Sequence, residues 1–552
     1  MKTNKKNVSI KRLAGKIALS LLVFLGILFP LTARWYIATY TDQGFAAILF
    51  TLTNNIAGTS NDIMGSWFRT AALPALGASI LVCALLWIFC KPPTQAKTST
   101  DIADITQGEI DGKTVQDDIV LNEGSSCNTT QSEVSDRADA KAEARSKRIP
   151  RPIPFWACTT LSLVIFFGGV SMALIEAGIG EFIANQLDTT QIYETEYVDP
   201  ASTEITFPSE KRNLIYLFVE SMETSFASTE EGGALDHNAI PELMTLAQEN
   251  TNFSQDEGVG GWTWTEGATC TMAALVAEST GIPYEAPLES TKYSTMGSML
   301  AGARSINDIL HDAGYTQAVL FGSDASFAGR DVFYTTHSVD TIYDVYTARE
   351  DGIIEPDYWY SWGFEDAYLY EYAERVITEL ASDEEPFCVT MLTVDTHFPN
   401  GSLCDLCEDE FEEQLENVYA CASKQIDGFV SWLEEQDFWE NTTLVICGDH
   451  HTMDAAYLER AFDDTYERHV YNCIINSAAS VDFEQTKNRT ITPFDMYPTT
   501  LAALGCTIEG DRLALGTNLY SNLPTLAERY GMETLNAELA KTSKYYNANF
   551  LK

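Results

Sequence analysis

Basic residues are scarce in this 552-residue chain: 34 Lys and Arg stand against 79 Asp and Glu, a formal net charge of -45. Binding a phosphate backbone needs clustered cations, so nucleic-acid binding through the surface at large is excluded. Apolar residues are not scarce, at 45% with 11% aromatic, which excludes overall disorder. Charge is missing altogether from three stretches, Ile17–Ala33, Thr70–Cys90 and Pro152–Ile175, of 17, 21 and 24 residues. A hydrocarbon core about 30 Å thick takes about 20 helical residues to cross. The three stretches therefore read as membrane spans. The first is short enough to resemble a signal-peptide core, but no small-x-small cleavage site follows it. Residues 44–53 are too short to span and read as an interfacial or packed helix.

The few cations set the orientation. Lys2, Lys5, Lys6, Lys11, Arg12 and Lys16 precede the first span, and Arg137, Lys141, Arg145, Lys147, Arg148 and Arg151 precede the third. Between the first two spans lie only Arg34 and Arg69. The N-terminus and residues 91–151 are thus expected in the cytoplasm, and everything beyond about residue 177 outside it. Within 91–151, residues 92–146 are polar with almost no aromatics and read as a flexible spacer loop. The expected division is a membrane domain at 1–190, an extracytoplasmic domain at 191–530 and a C-terminal tail at 531–552. Of the twelve cysteines, Cys404, Cys407 and Cys421 lie close together in the outer part, where disulfides are permitted. They read as a structural disulfide from Cys404 or Cys407 to Cys421. A redox or metal pair at 404–407 is the other reading. Cys388, Cys447 and Cys473 sit in apolar runs and read as buried thiols.

The outer part alternates apolar runs with amphipathic segments. Strands are expected at Leu214–Val219, Gln317–Phe321, Phe387–Val394, Thr443–Cys447 and Val470–Ile475. Continuous apolar runs suit strands buried on both faces. Helical patterns fall at Ser305–Ala313, Asp366–Leu380 and Glu413–Glu435. This alternation predicts an α/β fold, a mostly parallel sheet flanked by helices, following a helical membrane domain with about three transmembrane helices. Polar residues cluster just after the strands: Glu220, then Ser323 and Asp324, then Asp395 and His397, then Asp449 and His450. Open α/β sheets bind ligands beyond the carboxyl ends of their strands, so a shared site is expected there. His237, His311 and His337 read as surface or core residues.

Residues 258–283 read GVGGWTWTEGATCTMAALVAESTGIP. A Gly-, Thr- and Trp-rich stretch leads into a helical pattern that starts at Thr271. A helix N-terminus favours a phosphate. A Thr hydroxyl is a poor nucleophile without a base or metal beside it, and simple N-capping by Thr271 or Thr269 is the competing reading. Trp262 and Trp264 read equally as the mouth of a lipid-facing site or as packing.

The segments KRNLIYLFVESMETSF (211–226), GATCTMAALVAESTGIP (267–283), FAGRDVFY (327–334), WGFEDAYLY (362–370), TVDTHFP (393–399) and CGDHH (447–451) resemble the lipoteichoic acid synthase and phosphoglycerol transferase family. The resemblance is nearest to the membrane phosphoglycerol transferases, within the alkaline phosphatase/sulfatase superfamily, and covers about residues 190–510. It implies a divalent metal, Mn²⁺ in the first instance with Mg²⁺ or Zn²⁺ as alternatives, held by Glu220, Thr271, Asp449 and His450. It implies Thr271 as nucleophile, Arg330 and His397 holding the phosphoglycerol group, His397 assisting as acid or base, and His469 as a further substrate contact. The donor implied is phosphatidylglycerol, and the acceptor a glycan, a glycolipid or a polyglycerol phosphate chain. Three spans are fewer than the five of typical synthases. Cys270 stands where the synthase branch has Lys, which favours single transfer over polymerisation. The alternatives are a phosphoethanolamine transferase, a sulfatase or phosphodiesterase, and a binding protein that has lost the chemistry. The sulfatase motif C/S-x-P-S/A-R is absent.

Overall fold

The computed structural model describes residues 2–40, 61–91, 153–285, 297–383, 385–463 and 465–551. The helix expected at 44–53 and the loop expected at 92–146 lie outside them. The chain divides into two compact units, Met1–Phe29 with Pro74–Val170, and Pro30–Leu73 with Ser171–Lys552.

Among the described residues, three helical stretches are long and apolar enough to cross a membrane: Leu13–Thr39, Ile63–Ile88 and Phe155–Glu176. They belong to α1 (Lys2–Thr39), to α2 (Asn61–Trp67) joined by a π-turn to α3 (Leu73–Phe89), and to α4 (Phe155–Glu176). In the first unit, α1 and α4 cross at two glycines. A Cβ on Gly169 would stand 1.7 Å from the Gly26 carbonyl oxygen, and one on Gly26 would stand 2.6 Å from that of Ile165. Between apolar helices, close backbone approach of this kind depends on small residues.

The second unit is built on a seven-stranded sheet. Its strands are β1 (Asn213–Val219), β2 (Gly261–Trp262), β3 (Thr316–Phe321), β4 (Thr341–Tyr343), β5 (Phe387–Leu392), β6 (Thr442–Gly448) and β7 (Val470–Ile475). The spatial order is β2-β7-β6-β1-β5-β3-β4. The pairs β6–β1, β1–β5, β5–β3 and β3–β4 are parallel. The strand β7, expected alongside the parallel strands, runs antiparallel to β6, and the two-residue β2 pairs antiparallel outside it at the edge. Residues alternate between faces along a strand. Leu214, Tyr216 and Phe218 enter one hydrophobic cluster, and Ile215, Leu217 and Val219 the other. This two-sided burial is why the strands carry uninterrupted apolar runs.

Helices cover both faces: α5 (Thr271–Thr280) and α6 (Ile306–Asp312) on the first, α8 (Asp366–Leu380) and α9 (Gln414–Glu434) on the second, with α7 (Arg330–Thr336) following β3. The residues from 531, expected to be a tail, instead form α10 (Met532–Leu539) and α11 (Lys544–Asn549). Leu535, Leu539, Tyr546 and Phe550 are buried in the first cluster, and that apolar spacing is what folds them in. The expected disulfide is absent: Cys404, Cys407 and Cys421 are free thiols.

Two polar networks stiffen the fold. His337 is 1% exposed, and its Nδ1 lies 2.8 Å from Asp308, the residue that completes the capping box of Ser305 at α6. Burial works against the Asp308 charge, but His337 and the Ser305 donors outweigh it and hold the carboxyl below its ordinary range. Its contribution to stability is therefore complete above the unfolded value of about 3.9 and fades as pH falls through the lower folded one. Urea unfolding of Asp308→Asn is expected to show a shallower loss of stability between about pH 5 and pH 3 than the wild type. The second network is the fully buried Glu223, which takes hydrogen bonds of 2.8 and 2.6 Å from Arg468 and one of 3.0 Å from the Thr452 N–H. Removing one partner of a buried pair strands the other, so Arg468→Met is expected to cost about 3–5 kcal/mol in denaturant unfolding.

Candidate active site

The parallel register of β1 and β6 pairs Val219 with Gly448. The next residues, Glu220 and Asp449, therefore leave adjacent strands side by side, and His450 follows. Gly448 is required there, because a Cβ would stand 2.0 Å from the Met222 carbonyl oxygen. Glu220 is 2% exposed, Asp449 0% and His450 2%. One ligand atom from each lies within 4.8 Å of those of the other two. Thr271, the first residue of α5, brings its Oγ1 to 3.1 Å from Glu220 Oε2 and 3.3 Å from His450 Nε2. Thr271 is the one member of the four that is partly exposed. It does not cap its helix: Cys270 is the N-cap residue, in an extended conformation and without a side-chain cap hydrogen bond.

The donor set fits a divalent cation. His450 Nδ1 lies 2.8 Å from the His451 carbonyl oxygen, which makes Nδ1 the donor and leaves the Nε2 lone pair pointing inward. That lone pair meets carboxylate oxygens of Asp449 at 3.4 Å and Glu220 at 3.5 Å. Asp449 Oδ2 is buried with no hydrogen-bond partner among the described residues. Burial, and then the Glu220 charge, push the Asp449 carboxyl well above its usual range. Burial also opposes the Glu220 charge, but His397, His450 and hydrogen bonds from Ser221 and Thr271 leave it below the usual range. A cation among these atoms resolves both the facing lone pairs and the paired carboxylates.

Surrounding groups fix the two carboxylates. Ser221 donates its N–H to Asp449 Oδ1 at 2.7 Å and its hydroxyl to Glu220 Oε1 at 2.7 Å. Its own carbonyl takes the Tyr419 hydroxyl at 2.6 Å. Ser221 pays for this with a φ of 54°, a left-handed conformation costing about 1–3 kcal/mol in a non-glycine residue. The Glu220 N–H donates to Thr393 Oγ1 at 2.9 Å, tying β1 to the end of β5.

The other expected residues separate into two groups. Arg330 starts α7 and is 5% exposed; it donates to Ser323 Oγ at 3.0 Å and to the Asp324 carbonyl at 2.6 Å. Its guanidinium lies over Phe321 and Phe327, at 4.6 and 5.7 Å. Burial lowers its pKa to about 10, so it keeps its charge at neutral pH. Phe327 packs on Trp362, and Trp362 on the His397 ring, with centroids 5.5 and 4.3 Å apart. His397 Nδ1 lies 2.6 Å from the Phe398 carbonyl, which leaves Nε2 open, and burial lowers the pKa of the ring. Arg330 and His397 both act on the charge of Glu220. His469 is buried just ahead of β7, within electrostatic reach of His451 and Glu223. Asp395 turns away to exchange hydrogen bonds with Asp366 at 3.1 Å, and the Asp324 carboxylate is taken by the Ser326 N–H at 2.8 Å and the Tyr346 hydroxyl at 3.1 Å while its carbonyl takes Arg330. Trp262 and Trp264 line a narrow cleft together with His450 and His451. Sequence reasoning missed Ser221, whose sole signal is its place between Glu220 and the next turn.

The Sulfatase family pattern matches residues 212–506, more than half the chain, and the chain belongs to that family. It is similar to phosphoglycerol transferase I of Escherichia fergusonii, 29% identical over 301 residues, 53% of this chain and 38% of that one. It is similar also to phosphoglycerol transferase I of Escherichia coli (strain 55989 / EAEC), 28% identical over 300 residues with the same coverage. The match spans well under half the length of these relatives. Among solved structures it is similar to the lipoteichoic acid synthase LtaP from Listeria monocytogenes, with 19% identity, a TM-score of 0.45, and 58% and 79% of the two chains covered. The integral membrane lipooligosaccharide phosphoethanolamine transferase A (EptA) from Neisseria meningitidis aligns over 88% and 84%, with 11% identity and a TM-score of 0.47.

Because the Ser221 hydroxyl fixes Glu220 Oε1, Ser221→Ala, which keeps the backbone bond to Asp449, is expected to weaken Mn²⁺ binding about 10–100-fold by isothermal titration, with the fold unchanged by circular dichroism.

Proposed function

We propose that this chain is a membrane-anchored phosphoglycerol transferase that takes glycerol phosphate from phosphatidylglycerol. The observation that carries the reading is Thr271: a partly exposed hydroxyl, at a helix start, aimed at a buried carboxylate and an imidazole. Glu220, Thr271, Asp449 and His450 are the proposed metal ligands. With three oxygen donors and one imidazole they suit Mn²⁺ or Mg²⁺, and Zn²⁺ is the third choice. A cation bound there acts as a Lewis acid, favouring an alkoxide and neutralising phosphodiester charge.

In the first step Thr271 Oγ1 gives up its proton on the side of Glu220 Oε2 and attacks phosphorus. The bond from phosphorus to the diacylglycerol oxygen breaks, diacylglycerol leaves, and glycerophospho-threonine remains. In the second step an acceptor hydroxyl attacks the same phosphorus and frees Thr271. Arg330, charged and fixed over two aromatic rings, holds the phosphoglycerol oxygens. His397, with Nδ1 committed to a carbonyl, exchanges a proton through Nε2 with the leaving oxygen and then with the acceptor hydroxyl. His469 is proposed only as an outlying contact, given its place beside Glu223 and His451. The acceptor class is an extracytoplasmic glycan, glycolipid or polyglycerol phosphate.

The membrane arrangement supports a lipid donor. Within the second unit, Trp35, Tyr40 and Ile63 pack with Phe398, Met453 and Cys270, neighbours in sequence of His397, His450 and Thr271. Tyr40 meets Phe398 edge-on at 5.1 Å. The proposed topology places the N-terminus and 91–151 in the cytoplasm and the sheet outside it, in accord with the cation distribution. The proposed boundaries are a membrane domain at 1–190 and a catalytic domain from 191. The catalytic domain is extended past 530, because α10 and α11 join its core.

Purified full-length protein with fluorescent phosphatidylglycerol and Mn²⁺ is expected to release diacylglycerol. Thr271→Ala is expected to lower the rate by about 10³-fold or more. Equal release by that variant would remove Thr271 as nucleophile. Release from phosphatidylethanolamine alone would move the chain to the phosphoethanolamine transferases.

A further inference from the structure

Beyond His397 the chain runs through Cys404 and Cys407 and then enters α9, where Cys421 is buried. The Cys404 sulfur lies 3.6 Å from that of Cys407 and 3.7 Å from that of Cys421. All three lie within 4.8 Å of one another. A disulfide requires about 2.0 Å. Sulfurs about 2.3 Å from a tetrahedral zinc lie about 3.8 Å apart, so the observed spacing is that of a metal–thiolate corner.

The groups around the sulfurs are those that stabilise thiolates. The Cys407 N–H donates to the Cys404 carbonyl oxygen at 3.1 Å and closes the turn that brings the two sulfurs together. The Cys404 N–H donates to Cys407 at 3.3 Å, and Gln425 Nε2 to Cys421 at 3.3 Å. The neighbouring cation, Lys424, is instead committed to Glu408 and Glu410. Three gathered thiolates would repel one another without a positive charge at their centre.

We propose that Cys404, Cys407 and Cys421 bind one thiophilic divalent cation, Zn²⁺ by its ligand chemistry, at a structural site separate from the reaction centre. Water or the Gln425 side chain supplies the fourth ligand. Gln425 Oε1 is buried and has no hydrogen-bond partner among the described residues. Turning the amide over exchanges its nitrogen, now facing the sulfurs, for that oxygen. Soft thiolates select zinc, while the oxygen-rich cluster at Glu220 suits a harder ion, so the two centres sort metals by ligand type. The cation pins the segment that follows His397 onto α9. The same helix, through Tyr419, holds the Ser221 carbonyl. The site does not rest on the transferase reading.

The test is metal analysis of full-length protein purified in detergent without added metal or reductant. Wild type and Asp449→Asn are each expected to carry one zinc per chain that the double variant Cys404→Ser/Cys407→Ser lacks. Titrating wild type with a thiol-capturing mercurial should release that zinc, which keeps the test independent of whether the variant folds. Cobalt in place of zinc should give sulfur-to-metal charge-transfer absorption. Zinc that is lost in Asp449→Asn but retained in the cysteine variant would overturn the site. So would an intact-mass measurement showing a disulfide among the three cysteines and no zinc. Diacylglycerol release enters none of these readouts, so the transferase proposal can fail while the zinc site stands.

Discussion

Two carboxylates forced side by side are the constraint on which the head of this sheet depends. The in-register pairing of β1 with β6 fixes where Glu220 and Asp449 emerge, and burial denies both the water that would screen them. Two like charges about 4 Å apart repel by about 4 kcal/mol at an effective dielectric of 20. No Lys or Arg forms an ion pair with either among the described residues. What the protein supplies is His450, with its lone pair facing inward, and backbone N–H groups at one oxygen of Asp449. Such an arrangement is stable as a cage for a cation and costly as anything else.

Much of this was legible in the sequence because burial on both faces leaves a plain record. The runs at 214–219, 317–321, 443–447 and 470–475 all became strands, shifted by at most a residue or so at their ends. The helix at Asp366–Leu380 has the bounds that its periodicity indicates. Direction was not legible: the apolar run of β7 is the same whether it pairs parallel or antiparallel, since both faces are buried either way. The C-terminal helices were missed for a related reason. They are short, and their burial depends on a core built hundreds of residues earlier.

At the site, residue types after strands marked Glu220, Asp449 and His450, but the same rule overreached at Asp324 and Asp395. Those two leave their strands just as Glu220 does. Asp395 is instead claimed by Asp366, and Asp324 contributes its backbone to Arg330. Local sequence does not distinguish a carboxylate aimed at a site from one claimed by a neighbouring group, because the fold decides which partner reaches it. Ser221 was illegible for another reason. Serine is common and its left-handed φ is invisible in the sequence, yet this backbone bend lets one residue bond both carboxylates.

The strain at Ser221 explains why α9 matters to a centre to which it contributes no ligand. A left-handed non-glycine residue persists only where its surroundings over-determine it. Here Asp449 and Glu220 fix one side of the residue, and the Tyr419 hydroxyl fixes the other. Tyr419 is fully buried and stacks on Phe226 with ring centroids 3.5 Å apart. The helix thus carries the geometry of the hydrophobic core to the carboxylates through a single hydroxyl. Two residues further along the same helix, Cys421 faces the loop that descends from His397. The geometry at Glu220 and Asp449 and that of the segment after His397 are therefore referred to one helix, so a shift of α9 would be felt by both together rather than by either alone.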